Sequence, residues 1–166
     1  MNIFCTDECP IKSAKSLPCV LLRKMIVESC QILCTAHFIC DGVIKSYKPT
    51  HQNHPVSIWT RKSTGNYNWL YQHYVALCSE FSTRNGKPHA SMALLKELKT
   101  APKNSTNKPV DIDFMCMPVE CKKTIDVHKN YRYYLNQKYK DWATRTDKKQ
   151  IHVTWTNAVK PDWVIV

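Results

Sequence analysis

Acidic side chains are scarce in this chain. Asp and Glu number 13 against 24 Lys and Arg, a formal charge of +11 over 166 residues. That excess argues against cationic partners and points to polyanions, nucleic acid first and an anionic membrane second. Long apolar runs are also missing. No segment approaches the ~20 residues needed to cross a bilayer, and the opening MNIFCTDECP has neither the basic flank nor the apolar stretch of a signal peptide. The expectation is a soluble intracellular protein, neither secreted nor attached to a membrane. The nine cysteines include no CxxC pair. The close pairs are Cys5 with Cys9, Cys30 with Cys34, and Cys116 with Cys121, and an odd count in a reducing compartment argues against a disulfide framework. Cys30 and Cys34 fall one helical turn apart beside His37, a conceivable metal site. Free cysteine, however, usually behaves as a small buried hydrophobe, so no metal and no cofactor are expected. Internal repeats and low-complexity tracts are absent as well.

What is present suits one domain over residues 1–166, long enough to bury a core and mainly α: a compact helical fold with long loops and an extended C-terminal tail. The organising stretch is Leu17 to Phe38, LPCVLLRKMIVESCQILCTAHF, whose single acidic residue is Glu28. It reads as a long, largely apolar helix, bent or restarted at Pro18. Its polar positions Lys24, Glu28, Gln31 and Thr35 fall on one stripe. Glu28 is therefore either half of an ordinary Lys24–Glu28 surface pair or a carboxylate kept there for chemistry.

Ahead of it, Asp7 is placed to cap a short helix with Pro10 in its first turn. Residues 41–55 read as a loop, and VSIWTRKS leads into a helix over about 63–83. There Tyr67, Leu70, Tyr74, Leu77 and Phe81 repeat at three and four, and Asn85-Gly86 provides the stop. Shorter helical periodicity covers 89–99. The polar segment 100–109 is a loop, DIDFMCMP is extended and partly buried, and residues 124–144 form a helix with Val127, Tyr131, Leu135 and Trp142 on one face. The tail from Ile151 is β-branched and aromatic and is expected to be extended.

From Cys121 onward, ten Lys and Arg stand against four Asp. Tyr131, Tyr133, Tyr134, Tyr139, Trp142, Trp155 and Trp163 are interleaved with them. Cations neutralise phosphates and rings stack on exposed bases at ~1–3 kcal/mol each, so Lys129, Arg132, Tyr133, Lys138 and Arg145 are candidate nucleic-acid contacts. The competing reading makes half of these rings core and the charges a solvated face.

MNIFCTDECPIKSAKSL, KMIVESCQILCTAH, NHPVSIWTRKSTGNYNWLYQHYVALCSEF, RNGKPH and the tyrosine-rich helix follow one another in an order that resembles the phage and viral pyrimidine-dimer DNA glycosylases of the endonuclease V type. The resemblance implies a helical, metal-independent DNA-repair glycosylase with associated AP-lyase activity, a monomer acting on double-stranded DNA that is damaged or distorted, in the host cytoplasm or nucleus. It implies an α-amine that attacks the sugar C1′ and a helix glutamate that assists. On this sequence those roles fall to Met1 and Glu28, since Asn2 disfavours removal of the initiator methionine. It also implies phosphate contacts at His54 of the NHP motif, Arg61, and Lys87 and His89 of the GKPH element.

The chain departs from the family pattern at Leu21, where a histidine is usual. It departs from the founding enzyme at Val27 and Gln31, where arginines stand; Arg23 and Lys24 offer charge from a neighbouring turn. Two alternatives therefore stay open: a non-catalytic DNA-binding protein on the same scaffold, or a viral enzyme acting on modified bases or nucleotides.

Overall fold

The computed structural model describes residues 1–103 and 105–166. Its helices are α1 (Pro10–Lys15), α2 (Cys19–Asp41), α3 (Pro55–Lys62), α4 (Thr64–Asn85), α5 (Leu95–Leu98) and α6 (Val127–Thr144), with no strand among the described residues. The mainly α reading of the sequence therefore holds.

Local chemistry sets the boundaries. Asp7 accepts from the Cys9 N–H at 2.9 Å just before α1, and Pro10 occupies its first turn. Pro18 flanks α2, so the long apolar helix begins at Cys19 rather than Leu17. It runs on to Asp41, where Gly42 at φ +68° caps it in the left-handed conformation glycine tolerates best. Of its polar stripe, Thr35 is buried. Its hydroxyl donates to the Gln31 carbonyl at 2.8 Å and accepts from the Thr50 N–H at 3.1 Å, which ties the 42–54 loop to the helix.

The lead-in VSIWTRKS is itself helical. His54 caps α3 through Nδ1, and Ser63, extended at φ −152°, separates α3 from α4 while its hydroxyl caps the latter. Residues 89–99 depart from the sequence expectation: a 3-10 turn over Ala90–Leu94 precedes only one turn of α-helix. His89 takes up the first free N–H there and Tyr74 the Ser91 carbonyl, so side chains replace the helical ladder. α6 starts three residues later than predicted, because the Asp126 carboxylate accepts from the His128 and Lys129 N–H groups and fixes the cap.

α2 and α4 form the central pair, with α1 against α4 and α3 against both. The opening residues and α6 complete the core. Ile3 and Cys5 are fully buried and Phe4 almost so, and burying a side chain of that size stabilises by ~1.5–3 kcal/mol. A file of rings crosses the interior: Trp69–Trp59 (6.0 Å between centroids), Trp59–Phe114 (4.7 Å), Phe114–Tyr131 (6.0 Å), Tyr131–Phe4 (6.4 Å) and Phe4–Tyr134 (6.1 Å). The tail forms neither helix nor strand; rather than running extended throughout, it turns at Trp155–Ala158, with Asn157 at φ +55°, and again at Pro161–Val164. It is fastened by Trp155 Nε1, which donates to the Ser16 carbonyl at 3.1 Å, and by Asn136, which grips Trp163 and Ile165. Among the described residues no helix is long and apolar enough to cross a membrane.

Candidate active site at the N-terminus

The first six residues are held rather than loose. Asn2, only 8% exposed, turns the chain: its side-chain oxygen accepts from the Ile3 and Phe4 N–H groups (2.8 and 3.2 Å), and its amide donates to the Cys116 carbonyl at 2.6 Å. This Asx-type turn accompanies a φ of +45° at Phe4, a left-handed conformation that costs a non-glycine residue of order 1 kcal/mol. Phe4 keeps it because its ring is fixed between Tyr131 and Tyr134. Further along, Arg132 Nε donates to the Thr6 carbonyl at 2.8 Å and its guanidinium pairs with Asp7 at 3.4 Å, while Trp69 Nε1 donates to the Glu8 carbonyl at 2.6 Å.

This anchoring brings the chain start onto Glu28. The backbone N–H of Asn2 donates to Glu28 Oε2 at 2.9 Å, and Lys24 Nζ stands 3.5 Å from Oε1. The Glu28 side chain is 13% exposed and that of Lys24 69%, so the carboxylate is recessed and its partner is not. The Lys24–Glu28 helix pair read from the sequence is present, and Glu28 also accepts from the backbone N–H of residue 2. The Met1 side chain is fixed too, with its sulfur accepting from Ser57 Oγ at 3.9 Å in the first turn of α3.

Glu28 opens into a cleft of about 390 Å³. Met1, Asn2, Phe4, Val20, Leu21, Lys24 and Met25 line it from the first part of the chain, and Cys116, Tyr134, Lys138, Trp142 and Ile151 from the last. His54 belongs to the same electrostatic neighbourhood. Burial first, then the Met1 ammonium and His51, hold its pKa below the ordinary histidine value, against the opposing pull of Glu28. Its Nδ1 accepts the Val56 N–H at 3.3 Å, so the neutral ring presents Nε2–H as a donor. Lys138 Nζ lies 4.9 Å from the Trp142 ring centre and 5.7 Å from that of Tyr134. Burial and then Lys24 lower its pKa, and Asp141 opposes them. A recessed carboxylate, an α-amine and a partly desolvated lysine around one cleft form a set suited to proton transfer and to amine attack on an electrophilic carbon.

The remaining candidates separate into two groups. Lys87 and Lys129 are exposed, Lys129 in a surface pair with Asp126 at 3.6 Å, and Tyr133 is exposed with Lys123 over its ring at 5.7 Å. Arg23 is exposed and lies close enough to His89 to lower its pKa, second to burial, which brings the GKPH element beside α2. Arg61, Arg132 and Arg145 are engaged with backbone. Arg61 donates to the Gln52 carbonyl at 2.6 Å, Arg132 to Thr6, and Arg145 Nε to the Lys149 carbonyl at 2.7 Å.

Of the interleaved rings, Tyr131, Tyr139 and Trp155 are core. His37 likewise faces Tyr67, whose hydroxyl donates to the Leu98 carbonyl at 2.9 Å and so accepts from His37 Nε2 at 2.9 Å. Among the described residues no group of three His, Cys, Asp or Glu is placed to hold a metal ion. Sequence reasoning missed Asn2 as the pivot, along with Cys116 and Ser57. Only the turn-forming habit of asparagine offered any signal, since its partner is 114 residues away.

No curated protein and no solved structure matches this chain. The family described as pyrimidine dimer DNA glycosylase matches residues 1–94, a span that carries Met1, Glu28 and His54 but stops short of α6. The chain belongs to that family.

Proposed function

We propose that this protein is a DNA-repair glycosylase with AP-lyase activity on pyrimidine dimers, working through an N-terminal amine and Glu28. One observation carries the reading: the recessed Glu28 carboxylate is bound at 2.9 Å to the nitrogen of residue 2, in a cleft that Met1 also lines. An α-amine attacks carbon in its neutral form, and a nearby carboxylate can take up the proton it sheds. The neutral amine adds to C1′ of the damaged nucleotide, the glycosidic bond breaks, and the base leaves with its electron pair and takes up a proton. Opening of the sugar ring gives an imine. Loss of a C2′ proton to the Glu28 carboxylate then expels the 3′-phosphate, and water releases the amine.

Two nitrogens are open to this role: that of Met1 in the unprocessed chain, and that of Asn2 once Met1 is removed. The second already sits on Glu28 Oε2. Intact mass of the purified protein distinguishes them.

Borohydride trapping on duplex DNA carrying one cyclobutane dimer tests the reading. An adduct is expected for the wild type, with none after the α-amine is blocked and a fall of at least ~100-fold in Glu28→Gln, within the range of a lost general acid/base. No adduct on dimer or abasic DNA sinks the glycosylase and lyase reading.

A second reading rests on the occupancy of Glu28, both of whose oxygens have partners. Together with Leu21, Val27 and Gln31 in place of the usual polar neighbours, that favours a structural clamp in a DNA-binding protein without catalysis. It predicts DNA affinity unchanged by Glu28→Gln and no adduct with any chain.

A further inference from the structure

Lys138 stands apart from the other lysines of the basic surface. Lys140, two residues on, is exposed, and Lys24 reaches out to pair with Glu28. Lys138 is half-buried in the wall between two hollows, the Glu28 cleft and a neighbouring one of about 410 Å³ lined by Tyr133, Gln137 and Asp141. Its amine faces the rings of Trp142 and Tyr134 at 4.9 and 5.7 Å. A lysine that only greets phosphate gains from projecting into solvent as a flexible point charge. A lysine confined between rings at the edge of a cleft, with another cation nearby and part of its hydration removed, has the environment that favours a nucleophilic amine.

We infer that Lys138 is a second amine of this site, able to form an imine with C1′ of an abasic sugar in the Glu28 cleft. The inference rests on the lyase reading above and adds to it a nucleophile from α6, a helix outside the span that matches the family. The ring-opened sugar presents an aldehyde. Unprotonated Nζ adds to C1′, the carbonyl oxygen is protonated and leaves as water, and a C=N bond to Lys138 replaces C=O. The C2′ proton passes to the Glu28 carboxylate, the C3′–O bond breaks with its electron pair going to the 3′-phosphate, and water hydrolyses the imine to return the lysine. The tyrosine and tryptophan rings hold the amine in place when it is charged, and Lys24 and the loss of hydration favour its release of the proton.

The test is borohydride trapping of the full-length protein on duplex DNA with one abasic site, followed by digestion and mass mapping of the modified peptide. It is run on the wild type, on the chain with its α-amine acetylated, and on acetylated Lys138→Arg. Arginine keeps the charge and the ring contacts but forms no imine under these conditions. The expected result is an adduct on the α6 peptide at Lys138, retained after acetylation and reduced at least tenfold by Lys138→Arg. An adduct confined to the N-terminal residue overturns this inference and leaves the lyase reading standing. So does equal trapping by the acetylated chain with and without Lys138→Arg. No adduct in any chain overturns both. Mapping on the wild type needs no substitution, so the test survives a variant that folds poorly.

Discussion

His73 is completely buried on α4. Its Nδ1–H donates to the Pro10 carbonyl at 3.0 Å, and its ring stacks on Trp69 at 5.3 Å. Burial depresses its pKa to about 4, against the opposing pull of the Pro10 and Ile3 carbonyls. The folded ring therefore resists a proton that the unfolded chain accepts at the ordinary 6.5. The associated stability is fully present above pH ~6.5 and is lost as pH falls toward 4, by about 3 kcal/mol at 1.36 kcal/mol per unit. Urea midpoints measured from pH 7 to 4 should fall over that window, and His73→Phe, which keeps the stacking, should flatten the fall. An unchanged acid limb in His73→Phe would place the titration elsewhere.

Glu28 was legible at this scale because a lone carboxylate in an apolar helix demands a partner. Asn2 was not, because its role depends on a carbonyl at Cys116 and on the left-handed turn at Phe4, neither of which leaves a local pattern.

Among elements, α2, α4 and α6 were readable from their periodicity, and at α4 the Asn85-Gly86 stop agrees with it, Gly86 adopting positive φ at the helix end. α3 was hidden in the run-up to α4, since a single extended serine separates two helices of compatible pattern. The 89–99 segment misled because apolar spacing at three and four fits a 3-10 turn packed on α2 and α4 as well as an α-helix.

Gly65, in the first turn of α4, had no helical reason to be glycine. The reason is tertiary: the 106–111 loop crosses it, with the Gly65 N–H donating to the Lys108 carbonyl at 3.1 Å, and an added Cβ would lie 2.4 Å from backbone atoms of Pro109 and Val110. Backbone cannot swing aside as a side chain can. Gly65→Ala should therefore destabilise despite alanine's better helix propensity, by about 1–3 kcal/mol and roughly 3–10 °C in Tm. A Tm equal to wild type by calorimetry would mean that the loop does not hold this position in solution.

At the scale of the whole molecule, the charge of +11 was the clearest message of the sequence, but composition does not say which cations are free to meet phosphate. The structure divides them. Lys87 and Lys129 face solvent, while Arg132 ties α6 to the chain start through Thr6 and Asp7. If about 6–10 phosphates are neutralised, DNA affinity should drop by ~10³–10⁵ between 50 and 200 mM salt. Lys87→Ala should reduce the slope of log affinity against log salt by about 1 and leave Tm unchanged, as expected for one phosphate contact. Arg132→Ala should instead lower Tm, because it strands the Thr6 carbonyl and loosens the segment that brings the Asn2 N–H to Glu28. Its adduct yield on abasic DNA should therefore fall more than its affinity does. Equal losses of affinity and slope in the two variants, with Tm preserved in both, would return Arg132 to the phosphate surface and leave the N-terminal segment to its other contacts, among them those of Asn2, Ser13 and Trp69.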